Sequence, residues 1–151
     1  MNKMMMLAAV AAATGLCAVQ ARAEPWVDWT PQKGVWEITE VHVAPGKLDD
    51  YLKGLKQTWV PGQEVAKKQG TIDDYSVMIR VGGNTEGANV VTARHLTSMA
   101  ALDPDRAKDT EGRKQVEAIT PKATSDQLVG QYNTYRTFVG QVYWRPVAFP
   151  K

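Results

Sequence analysis

The chain has 151 residues, 44% of them hydrophobic, with 18 basic and 16 acidic side chains, two histidines and one cysteine. That length suits one domain with a modest core. Lys3 and Arg22 fall in the first 23 residues, so the other 128 carry sixteen charges of each sign, and their zero net charge removes any general electrostatic case for nucleic-acid binding.

Residues 1–23 read as a secretory signal peptide. Lys3 supplies a basic start, Leu7 to Val19 is a short apolar run, and Ala21-Arg22-Ala23 is a small-x-small cleavage site before Glu24. The expected location is periplasmic or secreted. Cys17 lies inside this segment, and Leu16 stands where lipid-anchor processing wants a small residue. The expected mature chain therefore has no thiol, no disulfide and no cysteine nucleophile. No other apolar run approaches the roughly 20 residues needed to span a bilayer, so no membrane span is expected.

Residues 24–33 form an irregular lead-in containing Trp26 and Trp29, and residues 34–151 a single domain. From Gly34 to Ala44 the period is two: Val35, Thr39, Val41 and Val43 share one parity, and Trp36, Ile38, Glu40 and His42 the other. This is a strand with apolar groups on both faces. Pro45-Gly46 ends it. Leu48, Tyr51, Leu52, Leu55 and Trp59 then recur at helical spacing, with Asp49 and Asp50 at the positive end of the helix dipole. Pro61-Gly62 either interrupts this helix before a second short one over Gln63 to Lys68, or kinks a single long helix.

Thr71 to Val81 reads as a second strand, with Tyr75, Val77, Ile79 and Val81 on one face and Asp74, Ser76, Met78 and Arg80 on the other. Gly82-Gly83-Asn84 begins a turn into a third strand, Asn89 to Thr97, and the short link predicts an antiparallel hairpin. A polar helix over Asp109 to Ile119 is stopped by Pro121. Thr134 to Trp144 is a last strand bearing Tyr135, Phe138, Tyr143 and Trp144, and Pro146 ends it. Lys67-Lys68 and the group of Lys108, Arg113 and Lys114 are diluted by acidic residues and read as solvated helix faces.

The order β, α, β, β, α, β is the split βαβ pattern of an α+β ferredoxin-like sandwich, a four-stranded antiparallel sheet with helices on one face. The other face would carry Trp36, Ile38, Met78 and part of the last strand's aromatic set, a large apolar patch to leave in water. Two solutions fit: a second subunit packs sheet against sheet, or the face curls around a ligand. A homodimer that does both, with a small apolar or aromatic molecule as ligand, is the expectation.

The strand Val35–Val43, the Pro45-Gly46-Lys47 turn, the helix with Tyr51 and Leu55, the hairpin and the strand Thr134–Trp144 resemble the dimeric α/β-barrel superfamily. That group includes antibiotic-biosynthesis-type monooxygenases, stress-responsive barrel proteins and NIPSNAP-like proteins. The resemblance implies a fold of the dimeric α/β-barrel type, with a pocket between sheet and helices in each subunit. It implies no single reaction. Some members bind haem through one histidine.

His42 and His95 are candidate acid and base if one cavity receives both, since imidazole titrates near neutral pH. Strand-end packing is the alternative for each. Glu40 is a mid-strand carboxylate that needs a partner if buried, and Arg80 and Arg94 are candidates to pair with it or to steady a developing anion. Trp36, Trp59, Met78, Tyr135, Tyr143 and Trp144 are candidate ligand-lining residues, with core and dimer packing as the competing role. No metal-binding motif, phosphate loop or nucleophile elbow is present, and no cofactor or metal is expected. The expected function is an exported small-molecule enzyme acting on a hydrophobic or aromatic substrate by cofactor-independent acid–base chemistry of lyase, isomerase or monooxygenase type. The alternative is a non-catalytic binding or stress-response protein using the same pocket.

Overall fold

Period-two patterning builds the sheet, and the strands fall close to where alternation places them. A computed structural model describes residues 23–83 and 86–151. The segment with Lys3, Cys17 and Arg22, read as an export signal, lies outside the described residues, as does Asn84. The elements are β1 (Thr30–Pro31), β2 (Val35–Val43), α1 (Leu48–Lys68), β3 (Ile72–Ile79), β4 (Val90–Leu96), a 3₁₀ turn (Met99–Leu102), α2 (Arg106–Ile119), α3 (Lys122–Asn133), β5 (Arg136–Trp144) and β6 (Val147–Ala148). β2, β3, β4 and β5 form one antiparallel sheet in the order β3-β4-β2-β5. β2 and β3 are therefore parallel to one another with β4 between them, which is the split βαβ unit.

One expectation is corrected. The sheet is an open ferredoxin-like sandwich and not of the dimeric α/β-barrel type: β3 and β5 are its two edges, and among the described residues no strand pairs them to close a barrel. Period and parity describe the faces of a strand. Closure depends on the hydrogen-bonding edges, which side-chain alternation does not encode.

The register fixes what each face carries. Val35↔Leu96, Glu37↔Arg94, Thr39↔Thr92 and Val41↔Val90 pair β2 with β4, and these residues face the helices. Val41, Val43 and Val90 pack there with Tyr51 and Leu55 of α1 and Tyr132 of α3, all buried. Val35, Ile72 and Leu96 form a second apolar group at the other end of the sheet. Trp36, Ile38, Glu40 and His42 point to the opposite face, which no helix covers among the described residues. β5 has a bulge opposite Glu40/Val41, so the parity of its two halves is offset by one residue.

Pro61 neither breaks α1 nor starts a new helix. It removes the amide that would donate to the Gln57 carbonyl, and the Thr120 hydroxyl donates to that carbonyl instead, at 2.7 Å. A second departure is α3, absent from the sequence reading. Its only buried residue is Tyr132, so it shows little amphipathic period. Pro121 both ends α2 and precedes the first turn of α3. The lead-in is also more ordered than expected: β1 pairs with β6 and ties the two ends of the domain together.

Gly34 sits at φ +75°, where a Cβ would lie 2.5 Å from both the His95 ring and the Leu96 carbonyl oxygen. The backbone oxygen cannot swing aside. Gly34→Ala is therefore expected to lower stability by about 2–4 kcal/mol, the left-handed conformation and the clash acting together. Urea unfolding of the variant measures it.

Candidate functional site

The helix-facing side of the sheet does not pack solidly against the helices. A cavity of about 240 Å³ remains, floored by Thr39 and Thr92 and walled by Tyr51 and Trp59 of α1, Tyr132 of α3 and Arg136 of β5. Trp59 alone among these was expected at a site. It is partly buried and meets Tyr75 edge-on, with ring centroids 5.6 Å apart.

Arg136 opens β5, just after α3 has turned into the strand through Thr134 and Tyr135. Its guanidinium carbon lies 4.5 Å from the ring centres of both Tyr132 and Phe138, and 5.8 Å from that of Tyr51. The ring faces hold the cation by their quadrupoles. Its Nε donates to Asn133 Oδ1 at 2.8 Å and its Nη1 to the Tyr51 hydroxyl at 3.3 Å. Burial pushes the Tyr51 phenol above its ordinary pKa, and the neighbouring Arg136 holds that rise back. Tyr132 is fixed in turn by a 3.1 Å hydrogen bond with Thr58 and by edge-on packing against Tyr51.

A second polar group lies on the same side of the sheet. Glu37, 7% exposed, accepts two hydrogen bonds from Arg94, at 3.0 and 2.9 Å, and a third from the Tyr143 hydroxyl at 3.2 Å. The β2–β4 register makes the pair, because it sets Glu37 opposite Arg94. Glu37 precedes Thr39 by two residues, so this cluster adjoins the cavity along one strand face. Burial, followed by the Glu37 charge, raises the Tyr143 pKa. Sequence reasoning missed Glu37. Its signal was a carboxylate on the parity of Val35, Val41 and Val43.

The other expected residues are dispersed. Trp36, Glu40, His42, Met78, His95 and Trp144 lie on the face away from the helices. His95 pairs with Trp36 across the strands, packs on its ring at 5.0 Å and has Nδ1 2.6 Å from Asp73. His42 has Nδ1 2.7 Å from the Gly87 carbonyl. Six residues of β2, about 20 Å, separate the Trp36 and His42 positions, so the two histidines share a face without sharing a site. Glu40 has no hydrogen bond or ion pair among the described residues, and Arg94 is on the opposite face with Glu37. Arg80 follows β3 and donates to the Glu86 carbonyl at 2.9 Å. Tyr135 stands at the mouth of a separate groove beside Lys47. The aromatic residues expected to line one cavity are thus divided between two faces.

Among the described residues, no three His, Cys, Asp or Glu side chains gather as a metal site, and no helix is long and apolar enough to cross a membrane.

No protein-family model matches the chain, and no curated protein matches it. Several solved structures do. A dimeric ferredoxin-like protein from an uncultured marine organism is 18% identical, with TM-score 0.43, the match covering 78% of this chain and 96% of that one. HapK from Hahella chejuensis is 11% identical, with TM-score 0.43 and the same coverage. A NIPSNAP family protein of unknown function from Agrobacterium tumefaciens is 14% identical, with TM-score 0.46, over 78% of this chain and 92% of that one. The likeness is one of fold alone.

Proposed function

We propose that this chain is an exported, homodimeric protein that binds a small molecule between α1 and the sheet. One observation carries the binding reading: a partly open cavity of about 240 Å³ lies among aromatic side chains between α1 and the sheet. That volume has room for about eight waters. Its described lining offers rings, hydroxyls and a guanidinium, and no histidine or carboxylate. That favours capture of the molecule over acid–base turnover.

A second reading, catalysis, is favoured by Glu37, which meets an arginine and a tyrosine close to the cavity. Arg94 and Tyr143 already engage both oxygens of that carboxylate, which ranks this reading second.

The dimer is supported by the uncovered sheet face. Met78, Val142 and Trp144 are 48%, 39% and 62% exposed there, beside half-buried Trp36 and Ile38. Four strands at about 4.8 Å spacing and eight residues at about 3.3 Å give a face of about 500 Å². Two such faces bury about 1,000 Å², the lower bound for a specific interface.

Native mass spectrometry of protein purified from its export compartment tests both parts. The expected spectrum shows twice the protomer mass, with a further small mass that is lost on denaturation. A bare monomer would count against the whole reading.

A further inference from the structure

We propose that the cavity takes a single-ring aromatic carboxylate whose acid group pairs with Arg136, an inference that rests on the binding reading above. Among the described residues Arg136 makes no ion pair, although it is half-buried against three rings. Its faces are occupied by Tyr132 and Phe138, which leaves hydrogen bonding to the guanidinium edges. Nε is taken by Asn133 and Nη1 by Tyr51, whereas Nη2 has no described acceptor. A carboxylate oxygen can accept from Nη2, a charge-assisted hydrogen bond that pairs the guanidinium with an anion.

The rest of the lining specifies the remainder of the ligand. Tyr51, Trp59 and Phe138 present ring surface, which suits a flat apolar body. The volume equals that of about eight waters, so a ligand of roughly nine non-hydrogen atoms fills it. One ring and one carboxylate is that size. The hydroxyls of Thr39 and Thr92 make no hydrogen bond among the described residues, and Thr92 is 7% exposed. Both floor the cavity. They offer donors or acceptors to a ring substituent, so hydroxylated rings should exceed the unsubstituted ring in affinity.

Benzoate and its neutral isostere benzamide are the probes, titrated into the intact protein by calorimetry and followed by amide chemical shifts. The wild type is expected to bind benzoate at least tenfold more tightly than benzamide. Arg136→Gln should remove that preference, and Arg136→Lys should retain part of it. Thr92→Leu, which fills the floor, should block both probes. Equal affinity for the two probes, both blocked by Thr92→Leu, would overturn the acid assignment and leave the pocket standing. A benzoate preference that survives in both Arg136 variants would also overturn it. If neither probe binds the wild type at millimolar concentration, the binding reading fails first and this proposal with it.

Discussion

Ile38→Asp is expected to convert the proposed homodimer into folded monomers. Ile38 lies near the centre of the uncovered face, opposite Ala93 on β4 and Val142 on β5. In a two-fold assembly each substitution enters the interface twice. Loss of one buried isoleucine contributes about 1.5–3 kcal/mol per copy, so symmetry makes it about 3–6 kcal/mol, and the dissociation constant rises by about two to four orders of magnitude. The two added carboxylates, desolvated without partners, push in the same direction. The monomer should remain folded, because Ile38 is only half-buried within its own chain and lies across the sheet from the Tyr51–Tyr132 core. Sedimentation equilibrium reads the mass, and circular dichroism confirms the fold. Val81→Asp is the control: Val81 is 96% exposed beyond the end of β3, and its replacement should leave the mass unchanged. A dimeric Ile38→Asp variant would move the interface to another surface.

That experiment rests on strand parity, the property most legible in the sequence. Val35–Val43 and residues 74–79 are long enough for alternation to assign their side chains to a face, and the sheet keeps those assignments; a bulge between Ile72 and Asp74 turns Ile72 to the helix-facing side against that parity. Three features were not legible, each for a physical reason. α3 buries one side chain, so its pattern carried almost no period. Pro61 stayed within α1 because a hydroxyl 59 residues later satisfies the carbonyl that its ring left without a donor, a tertiary compensation that local sequence does not carry. Partner choice among charged residues depended on register. Glu40 and Glu37 are both mid-strand carboxylates, yet only Glu37 shares a face with Arg94. Arg136 escaped notice for a related reason: its ring partners come from α1, α3 and β5, which only the folded chain assembles.

The Glu37–Arg94 pair gives the largest expected stability effect, and an asymmetric one. The Arg94 side chain is 31% exposed and that of Glu37 is 9% exposed. Arg94→Ala leaves a buried carboxylate with the Tyr143 hydroxyl as its remaining described donor, and is expected to cost about 3–5 kcal/mol, the range for breaking a buried pair from one side. Glu37→Ala leaves a guanidinium that water already reaches, so the cost should be smaller, about 1–3 kcal/mol. At about 4 °C per kcal/mol for a domain of this size, Arg94→Ala lowers Tm by about 12–20 °C. Replacing both residues together by leucine should recover part of the loss, because it removes the buried carboxylate together with its partner. A second variant identifies the cause. Adding Glu37→Gln to Arg94→Ala removes the stranded charge while keeping the side-chain length, and it should recover part of the lost stability. No recovery would assign the loss to packing of the arginine stem, with no part played by the buried charge.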